Sequence, residues 1–325
     1  MEDPKMLWSL PPNWNVGKEH IPADWDWRVQ VSSPDMIGQV VGHYQITATF
    51  NEGTNANGPS YRAIDKRTGG AATLKLLCYW LCRDPDVWVA ALNFFHREAK
   101  AVSTLNHPNI ATVYESEVHE GQPYLVMEAL EGQTLRQKLK SASVSAEEFV
   151  RLGTQLASAM ATAHANEMLL HFLNPETTFV TSGGDAKVLD SGVEYLANAG
   201  WDWERPDIPC WHRYMAPEEH RGVELHLTRG ELDRLIKAAE GLNGYETCDA
   251  RTDLYRLGLV LYELAARRYP FSNYAKFREG SVMPLVDASH LHSWLTSLIL
   301  KLLEKEPEDR YQSALEVLEA LKQVQ

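Results

Sequence analysis

The chain has 325 residues, 44% of them hydrophobic and 23% charged. That balance lets most of the chain bury a core and argues against global disorder. Its 31 basic and 44 acidic residues leave a formal charge of −13, which argues against a nucleic-acid backbone or an anionic membrane surface as the main partner, since both call for a basic face. No apolar run approaches the roughly 20 residues of a membrane-spanning helix. Met1–Leu10 lacks the apolar core of a signal peptide. The four cysteines, Cys78, Cys82, Cys210 and Cys248, follow neither a C-x-x-C nor a zinc spacing. Reduced thiols in the cytoplasm are the expectation.

Residues 1–35 stand apart by composition. Trp8, Trp14, Trp25 and Trp27 alternate with Pro11, Pro12 and Pro22, without helical or strand period. An extended arm is expected, its indole rings docking on the domain or on a protein partner. From Met36 the pattern changes. Gln39–Thr49 reads as a strand, rich in Val, Ile, Tyr and Thr. Phe50–Gly58 is turn-rich. Pro59–Asp65 and Ala71–Leu77 read as strands joined by Thr68-Gly69-Gly70. Asp86–Leu105 has helical spacing through Val89, Leu92, Phe95, Ala99 and Val102, and His107-Pro108-Asn109 ends it. Ile110–Val118 and Pro123–Glu128 form a hairpin across Glu120-Gly121-Gln122.

After Gly132 the chain becomes mainly helical. Ser145–Asn166 has a capping start, Phe179–Thr181 and Ala186–Leu189 are short strands about Gly183-Gly184, and Asp253–Ala266, Ser293–Leu303 and Ala314–Val324 read as helices. The expected fold is α+β and bilobal: an N-terminal extension (1–35), a small β-rich lobe with one helix (36–130), and a larger helical lobe (131–325). Ligands in such an arrangement lie in the cleft between lobes.

Short motifs follow one another along this frame. Ala72-Thr73-Leu74-Lys75 lies on a strand. Glu98 sits on the helix of the small lobe, in Phe94-Phe95-His96-Arg97-Glu98. Met127-Glu128-Ala129-Leu130 follows an apolar strand, and Asp190-Ser191-Gly192 follows the strand Lys187-Val188-Leu189. Met215-Ala216-Pro217-Glu218, then Asp253 in Arg251-Thr252-Asp253-Leu254-Tyr255-Arg256-Leu257-Gly258, and Arg310 in Glu306-Pro307-Glu308-Asp309-Arg310-Tyr311 complete the series. In this order the motifs resemble the protein-kinase family, most closely bacterial serine/threonine kinases, from about Met36 to the C-terminus.

The resemblance implies roles. Lys75 would neutralise the α/β-phosphates of ATP, with Glu98 pairing it. Met127, Glu128 and Ala129 would form the gatekeeper and hinge, whose backbone meets adenine, and Ala72 would line the same site. Asp190 would ligate a Mg²⁺ that bridges the phosphates. Glu218 and Arg310 would form a buried ion pair, and Asp253 would be the structural aspartate of the central helix.

The catalytic loop departs from the family pattern H-R-D-x-K-P-x-N. It reads Leu170-His171-Phe172-Leu173-Asn174-Pro175-Glu176-Thr177. Phe172 replaces the aspartate that accepts the hydroxyl proton, Asn174 the lysine on the γ-phosphate, and Thr177 the asparagine on the second metal. His171 reads as a structural or surface histidine. The glycine-rich run Asn51–Ser60 keeps only Gly53 and Gly58, and Pro59 removes a backbone donor. Gly192–Pro217 holds no Ser or Thr but carries Trp201, Trp203 and Trp211. An insertion at about 223–247 holds a capping box (Thr228, Glu231) and an apolar face of Leu232, Leu235, Ile236 and Ala239.

These losses lead to the expectation of a pseudokinase, not an enzyme: a scaffold or allosteric regulator that binds ATP with Mg²⁺ or no cofactor at all. Its protein partner would meet the Trp-rich arm, the activation segment or the inserted helix. The alternative is an atypical ATP-dependent transferase of AMP or phosphoryl groups, and a third reading is a nucleotide sensor without turnover. The chain also reads as a fragment of a longer receptor.

Overall fold

The computed structural model describes residues 36–49, 60–76, 96, 99–119, 122–141, 143–170, 173–188, 213–220, 248–272, 274–285 and 291–322. The arm 1–35, Gly53, Gly58, Glu98, His171, Phe172, Asp190, the segment 192–212 and the insertion 223–247 lie outside the described residues.

The small lobe is an antiparallel sheet of β1 (Val40–Val41), β2 (Tyr44–Thr49), β3 (Ser60–Asp65), β4 (Ala71–Leu76), β5 (Val113–His119) and β6 (Gln122–Glu128), in the order β1-β2-β3-β4-β6-β5. Period-two burial fixes its faces. In β3, Tyr61, Ala63 and Asp65 turn inward while Arg62 and Ile64 turn out. The stretch Gln39–Thr49 is not one strand. Gly42, at φ +57°, lets the chain reverse so that Val41 pairs with Tyr44. A Cβ at Gly42 would stand 2.3 Å from the Tyr124 hydroxyl, so glycine is required there by space as well as by φ.

Ala72, Leu74 and Leu76 of β4 join Val41, Tyr44, Ile46, Tyr61, Ala63, Tyr124 and Val126 in one core. Leu125 and Met127, on the other face of β6, belong to a second core that takes in Val102 and Leu105 and runs through the large lobe. A short helix, α1 (99–103), packs there.

The large lobe holds a small sheet, β7 (Gly132–Thr134), β8 (Thr178–Thr181) and β9 (Ala186–Val188), and helices α2 (Leu135–Ser141), α3 (Ala146–Ala165), α4 (Pro217–His220), α5 (Ala250–Ala266), α6 (Tyr274–Glu279), α7 (Ser293–Leu302) and α8 (Ala314–Lys322). Ser145 caps α3 by accepting from the Glu148 N–H at 3.1 Å. The helix expected from Asp253 begins earlier, at Ala250. Asp249 caps it and Thr252 closes the box by accepting from the Asp249 N–H, a start the apolar pattern does not report. From Thr252 to Ala266 every residue of α5 is buried, so α5 is the axle of the lobe, with α3 and α7 against it. Gly258 permits that approach, since a Cβ there would lie 2.8 Å from the Leu302 Cβ. Among the described residues no helix is long and apolar enough to cross a membrane.

The His107-Pro108-Asn109 turn joins the lobes. The Asn109 side chain donates to the Ala186 carbonyl at 2.7 Å, Ala111 N–H donates to Val188 C=O and Val188 N–H to Asn109 C=O. His107 Nε2 lies 2.9 Å from the Ser158 hydroxyl on α3.

Candidate functional site

The cleft between the two sheets gathers the residues singled out by sequence. Lys75 is buried on β4, opposite Leu125 of β6. Strand alternation puts Thr73 on the same face as Lys75, opposite Met127. Ala72 does not belong to this site. Its side chain lies in the other core with Leu74 and Val126, because a residue three positions from the lysine on a strand faces the opposite side. The site residue is Thr73, 2% exposed. Counting by two from Lys75 is the sequence signal that identifies it.

The hinge follows β6. The Glu128 N–H donates to the Thr112 carbonyl at 2.9 Å. Its carboxylate accepts from the Thr112 N–H at 2.9 Å and from Lys187 Nζ at 2.6 Å. Glu128 is therefore a clamp between β5, β6 and β9, and its side chain is not aimed at a ligand. Ala129 and Leu130 make no backbone hydrogen bond among the described residues, so a purine-like edge meets open main-chain groups there. The nucleotide fits this half of the cleft: a buried cation on one strand, hinge amides on the next.

The loop that should carry the chemistry is closed upon itself. Asn174 Oδ1 accepts from the N–H groups of Glu176 (2.8 Å) and Thr177 (3.0 Å). The Thr177 hydroxyl accepts from the Asn174 N–H at 3.1 Å and donates to the Asn174 carbonyl at 3.2 Å. This reciprocal cap buries both side chains. The residues that stand in for a phosphate lysine and a metal asparagine have become loop-closing residues, and Thr177 as placed does not suit a second metal ion. Asp190, the remaining candidate for a first, lies outside the described residues.

The loop is anchored from below. Asp253 is fully buried on α5, and its Oδ2 accepts from the Leu170 N–H at 2.6 Å and lies 2.8 Å from His164 Nε2. At the other end of the cleft, α4 carries two adjacent glutamates with separate arginines. Arg310 grips Glu218 through two bonds of 2.8 Å each, and also donates to the carbonyls of Arg251, Glu304 and Lys305. Burial pushes the Glu218 carboxyl up, but Arg310 and the Thr252 hydroxyl outweigh it and hold it below the usual range. Glu219 accepts from the Ala216 N–H and pairs with Arg256 of α5. Burial dominates there, and the carboxyl is held above its ordinary value despite Arg256.

A third cluster was not visible in the sequence. Arg136, in the first turn of α2, donates to Glu176 (2.7 Å), to Glu263 (2.5 Å) and to the Tyr214 hydroxyl (2.6 Å). The Tyr214 hydroxyl in turn donates to Glu263. The four residues come from α2, the loop, α5 and the stretch before α4, and no local pattern links them.

Three kinds of similarity bear on this geometry. A family model, the protein kinase domain, matches residues 53–322. A probable serine/threonine-protein kinase of Clostridium acetobutylicum is 26% identical over 298 residues, covering 89% of this chain and 41% of that protein. The serine/threonine-protein kinase PknB of Mycobacterium tuberculosis is 29% identical over 269 residues, 78% of this chain and 39% of PknB. The chain thus spans about two fifths of the length of the curated relatives it matches. Among solved structures, the PknI kinase domain of M. tuberculosis superposes with a TM-score of 0.64 at 21% identity, over 91% of this chain and 99% of PknI. The apo form of PpkA-294 gives 0.70 at 20% identity, over 90% and 100%. These likenesses establish the bilobal fold. The relatives, named as kinases across most of the chain, overturn the expectation that it is not an enzyme. That expectation rested on a few loop substitutions and gave too little weight to the match along the remaining length.

Proposed function

The chain belongs to the protein kinase domain family, and on that premise we propose that it is an ATP-dependent phosphotransferase of the bacterial serine/threonine type. One observation carries the reading. Lys75 and Thr73 share a buried face of β4, directly across from Leu125 and Met127 and one step from the open hinge amides. A cation so placed suits the phosphates of a nucleotide whose base lies against Ala129 and Leu130. Bound ATP supplies the transferable phosphoryl group, with Mg²⁺ as its counter-charge.

Phosphoryl transfer asks the protein mainly for position and charge. Asp253 holds the loop, the Glu218–Arg310 pair holds the end of the activation segment, and Lys75 supplies charge. Phe172 accepts no proton. A positioned general base contributes about 10²–10⁴-fold, so the reading includes slow turnover with the acceptor hydroxyl losing its proton to solvent.

The test is transfer of radiolabelled γ-phosphate from ATP to the chain itself and to a serine/threonine peptide library, with Lys75→Met as control and intact mass recorded in parallel. Label lost in Lys75→Met supports the proposal. An AMP adduct would replace it with nucleotidyl transfer, and the absence of any adduct at protein concentrations that bind ATP would overturn it.

A further inference from the structure

Arg136 lies outside the nucleotide half of the cleft, yet it bonds both sides of the acceptor half. Its guanidinium spans Glu176, in the loop cap, and Glu263, on the fully buried α5, and adds the Tyr214 hydroxyl, two residues before Ala216. Its main-chain N–H donates to the Pro175 carbonyl at 2.9 Å. Tyr214 packs edge-on against Tyr269 at 6.0 Å, and the Tyr269 hydroxyl donates to the Arg213 carbonyl. One side chain on α2 thus ties the catalytic loop, the central helix and the exit of the activation segment into a single connected cluster.

The charges explain why an arginine is needed. Glu176 and Glu263 are two carboxylates in a half-buried to buried setting, at 15% and 3% side-chain exposure. Without a cation between them they repel, and the loop and α5 separate. Lysine supplies the charge but not the fork, since a guanidinium reaches three acceptors in fixed directions and an ammonium is a point charge. Asp253 anchors the start of the loop at Leu170, whereas Arg136 anchors its end at Pro175 and Glu176.

We propose that Arg136 is a positioning residue that sets the loop 173–177 and the stretch 213–216 against each other, and so governs the acceptor side of the reaction while leaving the nucleotide side untouched. The proposal rests on the phosphotransferase reading for its kinetic consequence but not for its structural one.

The experiment is hydrogen–deuterium exchange of the whole chain as wild type, Arg136→Gln and Arg136→Lys, read by peptide well below the melting temperature, with ATP binding followed by thermal shift. Losing charge-assisted bonds of this kind should raise exchange in peptides covering 173–178 and 213–216 by about tenfold in Arg136→Gln. Arg136→Lys should recover part of that protection, and the ATP-induced shift should equal that of wild type. Acceptor KM should rise in Arg136→Gln with ATP KM unchanged. Exchange that rises evenly over both lobes, or an ATP shift lost together with it, would show a merely structural role and overturn the proposal. Local exchange behaving as described in a protein without transfer activity would sustain the positioning role and count against the phosphotransferase reading alone.

Discussion

Arg256 and Glu219 face each other inside the large lobe with 2% and 3% of their side chains exposed, Arg256 on α5 and Glu219 on α4. Next to them Glu218 is bound by Arg310, yet the two pairs are built differently. Arg310 satisfies three backbone carbonyls besides its carboxylate, whereas Glu219 has one backbone donor, the Ala216 N–H.

That contrast predicts different responses to substitution. Removing one partner of a buried pair costs about 3–5 kcal/mol, since the other charge is left uncompensated. Glu219→Leu and Arg256→Met should each lose that much in urea unfolding. The double variant should return to within about 1 kcal/mol of wild type, as apolar replacements of buried pairs often do. Losses that simply add in the double variant would show that the pair contributes net stability.

The loop makes a prediction of opposite sign, a gain. Phe172 stands where a carboxylate would accept the hydroxyl proton, and the rest of the loop is held by Asp253, Asn174 and Thr177. Phe172→Asp should therefore raise turnover by about 10²–10⁴-fold at unchanged ATP KM. Equal rates in the two proteins would mean that the loop does not face the acceptor.

His96 makes stability depend on pH. Burial pushes its imidazole down to about 4 from the ordinary 6.5, and its Nδ1 lies 2.9 Å from the Ser116 hydroxyl. The unfolded chain takes up a proton near pH 6.5 that the folded chain refuses until about pH 4. Stability from this group is thus fully present above pH 6.5 and falls between 6.5 and 4. At pH 5 the loss is about 2 kcal/mol relative to neutral pH. Urea titrations of wild type and His96→Gln at pH 7 and pH 5 check this, because the variant lacks that part of the slope. Parallel pH profiles would place the histidine in contact with water.

Much of the frame was legible in the sequence because it rests on local rules. Ser145 and Asn166 bracket α3 where the capping pattern puts them, and Thr68-Gly69-Gly70 turns β3 into β4. The failures are also local in kind. Gly42 breaks the apparent strand Gln39–Thr49, since a β-rich composition does not announce a reversal. Ala72 was drawn into the site by motif order, although strand period assigns that face to Thr73. What no local rule reaches is Arg136, whose partners lie 40, 78 and 127 positions away. Its role exists only after α2 and α5 have packed.

The joint at Asn109 has a mechanical consequence. Among the described residues the small lobe touches the large one through the covalent strap 128–132 and through the bonds from Asn109 and Ala111 to β9. A body fixed to another at two separated points keeps a single rotation, about the line through both. Breathing of the cleft is thereby confined to a swing about the axis from the hinge to Val188. Thr73 and Lys75, on a strand beside that axis, travel a shorter arc than β1 to β3, which form the outer edge of the sheet.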